Sequence, residues 1–145
     1  MKEIINDPTL GTLIFNEQAD WYETTVQTAT DGEVRLTIWT DAFSASDDEL
    51  IPVRESLLLL LKALPNAKAF LAGELLEMKN SLWLEHQQEP LSQDELNQEL
   101  ELESLTANLE QEWVLFFKAD ELFGGHCILM GWSPTRGFYE AQIAG

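Results

Sequence analysis

The sequence predicts one α+β domain: a mainly antiparallel sheet of about six or seven strands, an inserted helical hairpin and a short third helix. Three observations predict it. Residues 10–41 are rich in β-branched and aromatic residues around an Asp31-Gly32 turn signal. Residues 46–85 switch to helical periodicity, and the chain after residue 100 returns to short apolar runs bounded by turns. A length of 145 residues, 45% hydrophobic, suits a single domain, here residues 1–145, with a core of its own.

The first block reads as a three-strand antiparallel meander. Leu13, Ile14 and Phe15 follow Gly11, and Asn16–Asp20 is a polar turn. The segment from Trp21, WYETTVQTA, has the composition of a pleated, half-buried surface. After Asp31-Gly32, Val34, Leu36 and Ile38 alternate with Arg35, Thr37 and Trp39. One face therefore goes to a core and the other is mostly polar.

In the helical block, Ser46 and Glu49 have the spacing of a capping box. Pro52 conflicts with a helix interior, and a start near Ile51 would place it in the first turn. Leu57, Leu60, Leu61 and Leu64 share a face that Leu58 and Leu59 widen. Pro65 ends this helix. A second, with Leu71, Leu75, Met78 and Leu82 as its stripe, completes the hairpin. Residues 90–100 give the third helix, with Ser92 and Glu95 as a capping box and Leu91 stapled onto Leu96.

The last third is extended. Leu100, Leu102 and Ser104, then Leu105, Ala107 and Leu109, predict a strand with a register slip near Ser104. Trp113–Phe117 and Ile128–Trp132 are continuous apolar runs of central-strand type. Ser133–Gly137 is a turn, and Phe138–Ile143 is the final strand. The expected core contains Leu36, Ile38, Leu57, Leu61, Leu71, Leu75, Val114, Phe116 and Ile128.

Charge narrows the function classes. The formal net charge is −18, from 26 acidic and 8 basic residues. Between Lys79 and Lys118 there is no lysine or arginine, yet Glu85, Glu89, Asp94, Glu95, Glu99, Glu101, Glu103, Glu110 and Glu112 occur. Such a surface repels nucleic acid and anionic membrane, and it attracts a basic protein. The same acids also serve as a solvated face that maintains solubility. The single cysteine excludes an intramolecular disulfide and is compatible with a reducing compartment. The N-terminus has no apolar leader pattern. The longest uninterrupted apolar run, Leu57–Leu61, falls far short of the roughly 20 residues of a membrane span. A cytoplasmic location is the expectation.

The motif that draws attention is Phe123-Gly124-Gly125-His126-Cys127. A phosphate loop needs its glycines to open a helix and a Lys and Ser or Thr to follow; here an apolar strand follows. His126 and Cys127 are consecutive, so on a strand they point to opposite faces and form no dyad. His86 is the only other histidine, and no spacing links the two as metal ligands. No metal site and no cofactor are expected. The bland reading has the glycines serving backbone geometry, His126 opening a strand, and Cys127 as a small core residue.

The C-terminal pattern ADELFGGHCILMGWSPTRGFYEAQIAG, residues 119–145, resembles a family of bacterial proteins known as domain of unknown function 2262. Asp120, Leu122, Phe123, Gly125, His126, Ile128, Ala141, Ile143, Ala144 and Gly145 carry the resemblance. The front, DPTLGTLIFNEQADWYE, is similar through Asp7, Gly11, Trp21 and Tyr22. Gly124 stands where the pattern more often has tryptophan. The resemblance implies an α+β domain and assigns no activity.

Three functional readings follow. The first is an acidic protein-binding module, such as an immunity or inhibitor protein that neutralises a basic toxin or enzyme. Its candidate contacts are Glu99, Glu101, Glu103, Glu110, Glu112, Asp120, Glu121 and His126. The second is a small enzyme or ligand-binding protein using His126 as acid or base, oriented by Asp120, Glu121 or Glu140. The third is a structural interaction protein or homodimer, favoured by an exposed patch at Trp39, Trp83 or Trp132. Monomer and homodimer are both compatible with the sequence.

Overall fold

The computed structural model describes residues 4–39, 47–82, 92–108, 110–118 and 127–144. Eight strands form one sheet in sequence order: β1 Ile4–Asp7, β2 Gly11–Asn16, β3 Trp21–Thr28, β4 Gly32–Trp39, β5 Glu101–Ala107, β6 Trp113–Lys118, β7 Cys127–Ser133 and β8 Gly137–Ala144. Every neighbouring pair is antiparallel except β4–β5, which is parallel. A parallel pair cannot be joined by a tight turn. The helices between β4 and β5 supply the crossover: α1 Asp47–Ala63, a 3-10 turn at Leu64–Asn66, α2 Ala67–Leu82 and α3 Gln93–Glu99.

The expected α+β class and mainly antiparallel sheet hold. The strand count is eight rather than six or seven, because Ile4–Asp7 pairs with β2. Its turn is built by Asp7, whose Oδ1 accepts from the backbone N–H of Thr9 at 2.9 Å and of Leu10 at 2.8 Å. A short strand with two polar residues in four gives little periodic signal.

The helical hairpin is a correction. Ala63 and Ala67, on either side of the 3-10 turn, are both in the right-handed helical region, and the Ala67 N–H donates to the Leu64 carbonyl. The chain therefore runs on as one helical path. The buried stripe proves continuous: Leu50, Val53, Leu57, Leu60, Leu64, Ala67, Leu71 and Leu75, at steps of three or four. Pro65 lies within that 3-10 turn, and a missing N–H at its start costs nothing more than an orphan donor. Pro52 lies inside α1, where it forfeits the bond back to the carbonyl of residue 48. Of the two starts considered, the helix takes the earlier, at Asp47 as a cap at Ser46 would give, and not the one near Ile51; Ser46 itself lies outside the described residues. The expected widening of the face by Leu58 and Leu59 is also corrected, since they are 51% and 49% exposed. The run Leu50–Leu76 is long and apolar enough to cross a membrane by length and composition, but its stripe belongs to the same core cluster as the sheet.

One face of the sheet packs under these helices. Ile5, Leu13, Tyr22, Val34, Leu36, Ile38, Leu102, Leu105, Ala107, Trp113, Leu115, Phe117, Ile128, Met130 and Trp132 form it with the helical stripe. Within this layer the Trp113 indole N–H donates to Ser56 Oγ at 2.9 Å, and Ser56 donates to the Val53 carbonyl at 3.1 Å. At the hairpin, Gly32 adopts φ +68°, the left-handed conformation the Asp-Gly signal anticipates. Asp31 does more than turn the chain: Oδ1 accepts from Lys68 Nζ at 2.8 Å and from the Leu102 N–H at 3.2 Å, tying β3–β4 to α2 and β5. The Ser92 capping box is present, with the Glu95 N–H on Ser92 Oγ at 3.2 Å and the Ser92 N–H on Glu95 Oε1 at 3.1 Å. Leu91 lies outside the described residues. The anticipated slip appears as a bulge between Leu102 and Ser104.

Candidate functional site

The second face of the sheet has no helix over it among the described residues. Side chains alternate along a strand, so the register fixes who shares this face. Trp21 stands opposite Trp39, Glu23 opposite Thr37 and Thr25 opposite Arg35. Across the parallel pair, Arg35 stands beside Ser104 and Thr37 beside Thr106. Ser104 then faces Phe116, and Thr106 faces Val114. Val114 pairs with Gly131, and Gly131 with Tyr139.

Small residues in the middle of large ones make a cleft. Thr37, Ser104 and Thr106 sit over the β4–β5 ladder, Trp21 and Trp39 rise on one side and Phe116 on the other. The resulting cleft has a volume of about 260 Å³, with Arg35 completing its lining. The two indoles meet edge to face, with centroids 5.3 Å apart and an interplanar angle of 74°. Thr37 is buried, and its hydroxyl pairs with that of Thr106 at 2.7 Å.

Glu23 fixes the Trp side of the cleft. Its Oε1 accepts from the Trp21 indole N–H at 2.5 Å, from Arg35 Nη2 at 2.5 Å and from Asn16 Nδ2 at 3.0 Å. The Trp21 hydrogen bond, with those of Arg35 and Asn16, holds the carboxyl below its ordinary value against the opposing effect of burial. It stays ionised and orients two neighbours. Arg35 lies over the Trp21 ring at 5.8 Å from its centroid.

A second trough lies over β7 at Gly131, between β6 and β8. The Tyr139 ring is folded onto the Gly131 backbone, where any Cβ would strike it. The Arg136 guanidinium stacks on that ring, 3.7 Å from the centroid. Glu112, Val114, Leu129 and Gln142 complete this trough, also of about 260 Å³.

The candidate acids divide between the ends of this face. Glu101 and Glu103 open β5 and both stand 3.8 Å from Lys118. Glu110 and Glu112 leave the far end, roughly 20 Å away by strand rise. There Asn108 Oδ1 accepts from the Glu110 N–H at 2.9 Å and the Glu112 N–H at 3.1 Å, a turn that leaves both side chains exposed. Glu99 is exposed on α3, and Glu140 is exposed 3.9 Å from Arg136. Asp120, Glu121 and His126 lie outside the described residues, as do His86 and Trp83. Of the acidic stretch, Glu101 and Glu103 and then Glu110 and Glu112 thus flank the aromatic centre, while Asp94, Glu95 and Glu99 sit on α3.

Several sequence expectations change here. Val114 and Phe116 turn away from the core, with Val114 37% exposed, because Trp113, Leu115 and Phe117 take the inner face. Leu61 is partly buried rather than central. Cys127 is exposed instead of a core residue, since Ile128 takes the inward position. Of the three flagged tryptophans, Trp39 is 48% exposed and Trp132 is buried. The cleft residues Trp21, Arg35, Thr37, Ser104, Thr106 and Phe116 were not singled out as a site. Trp39 on the outward phase of β4 was the available signal.

A sheet with helices on one face and, among the described residues, an aromatic cleft on the other defines an α+β domain. The model of a family described as an uncharacterised protein conserved in bacteria, DUF2262, matches residues 7–143, and the chain belongs to that family. No curated protein and no solved structure matches it.

Proposed function

We propose that this chain is an acidic protein-binding module that docks a basic protein through the open face of its sheet, in the manner of an immunity or inhibitor protein. The observation that carries the reading is the aromatic centre, Trp21, Trp39 and Phe116, over which no helix lies among the described residues, in a chain of net charge −18. Aromatic anchors surrounded by a polar rim are the usual anatomy of a protein interface. Glu101, Glu103, Glu110 and Glu112 supply a rim that is acidic on balance, with Lys118 and Arg136 among them, and a net negative rim speeds encounter with a cationic partner. A second copy of the chain is disfavoured by the same charge, because two such faces repel.

The test is affinity capture with the whole chain at low and high salt, comparing the native protein with Trp39→Ser and with Glu110→Gln/Glu112→Gln. The expected result is a captured protein of high isoelectric point that Trp39→Ser loses and that high salt or the double variant weakens. A captured set that Trp39→Ser leaves unchanged, or a partner that is not basic, contradicts the reading.

A further inference from the structure

We propose that the cleft between Trp39 and Phe116 is the anchor pocket of this face and receives a tyrosine side chain of the partner; this rests on the docking reading above. The argument is one of hydrogen-bond capacity, charge and size.

The floor has one donor too many. Thr37 and Thr106 carry two hydroxyl protons between them, and their mutual contact at 2.7 Å uses one. Either oxygen can be the donor of that contact, so the spare O–H belongs to buried Thr37 or to partly exposed Thr106, and it has no acceptor among the described residues. In the free protein water serves it. An occupant that expels the water must bring an acceptor or leave a buried donor stranded.

The walls demand a flat apolar body. Trp21, Trp39 and Phe116 offer rings, and a volume of about 260 Å³ suits one side chain rather than a drug-sized molecule. Phenylalanine satisfies the walls and strands the floor. Tryptophan brings a donor and no acceptor. Arginine and lysine bring only donors and meet Arg35 at the mouth, where Glu23 already balances a single cation. Tyrosine supplies both a ring and a phenolic oxygen that accepts. The long-range negative field turns small anions away from Arg35. The basic character of the partner then belongs to residues flanking the anchor, opposite the Glu101–Glu103 and Glu110–Glu112 ends.

The experiment uses the whole chain and short peptides Lys-Gly-Xaa-Gly-Lys with Tyr, Phe, Trp, Arg or Ala at the centre. Binding is read by calorimetry and by the emission of the protein's tryptophans. The native chain is expected to prefer Tyr over Phe by roughly five- to tenfold, the value of one added hydrogen bond. Thr37→Val/Thr106→Val removes both floor hydroxyls without changing side-chain shape, so the fold is retained, the Tyr preference disappears and the Phe peptide binds more tightly because no floor donor is left stranded. Trp39→Ala, at a half-exposed position, weakens every peptide with an aromatic centre. Equal binding of Tyr, Phe and Ala peptides overturns the anchor proposal, and if that binding still falls with salt the docking reading stands without it. A Tyr preference that survives the double valine variant, or no binding by any peptide, also overturns it.

Discussion

Asp7 shows how much structure one side chain can hold. Its carboxylate is buried, caps the β1–β2 turn, and meets Arg54 Nε of α1 at 2.6 Å. Burial alone would raise its pKa, but the N–H groups of Leu10 and Thr9 and the Arg54 guanidinium outweigh burial and hold it below the ordinary 3.8. A carboxyl depressed in the folded state contributes stability above its unfolded pKa, and that contribution is lost as pH falls through the folded value. Asp7→Asn keeps an acceptor for the turn and loses the ion pair. It is expected to cost about 1.5–3 kcal/mol at neutral pH. Denaturation across a pH series should show the difference from the native chain closing below the ordinary carboxyl value; a constant difference would assign the loss to packing instead. Gly131 makes a separate residue-scale case. Gly131→Ala places a methyl in the Tyr139 ring, for an expected loss of about 1–3 kcal/mol. In a Tyr139→Ala background the penalty should vanish, and a penalty that persists there would place its cause in the backbone rather than in the ring.

At the scale of elements, legibility followed the strength of local chemistry. The Ser92 cap, the Asp31-Gly32 hairpin and the slip near Ser104 were readable because each rests on a few adjacent residues with one low-energy arrangement. The helical rod was misread because Pro65 looks like a stop, whereas a 3-10 turn accommodates it and keeps the stripe in phase. Five consecutive leucines concealed which ones face the sheet, since a uniform run has no period. The structure resolves this: Leu57 and Leu60 are buried, and Leu58 and Leu59 are about half exposed. Leu60→Ala is therefore expected to cost about 2–5 kcal/mol and Leu58→Ala less than about 0.5 kcal/mol in chemical denaturation. Comparable losses at both positions would mean that the rod packs on two sides. The same blindness affected β6, where WVLFF gave no phase. Phe116 went to the core list when it belongs to the cleft.

At the scale of the molecule, the fold separates two tasks. The helices and the inner sheet face hold the core, and the crossover between β4 and β5 places a parallel ladder of small residues at the centre of the open face. The site was illegible because its residues come from β3, β4, β5 and β6, and sequence alone does not give the register that aligns Thr37 with Thr106. The charge was legible throughout, but only the fold puts Glu101 and Glu103 at one end of that face and Glu110 and Glu112 near the other.

The central claim is that the open face, and not the helical side, meets the partner. Hydroxyl-radical footprinting of the chain, free and bound to the basic protein that the proposed capture experiment is expected to yield, addresses this directly. Both sides carry reactive half-exposed groups, Trp39 and Ile14 on the sheet, Ile51, Leu58 and Leu59 on the rod. The account predicts that Trp39 loses most of its reactivity on binding while Leu58 and Leu59 react as in the free chain. Protection of Leu58 and Leu59 with Trp39 unchanged would contradict it and move the interface to the helices.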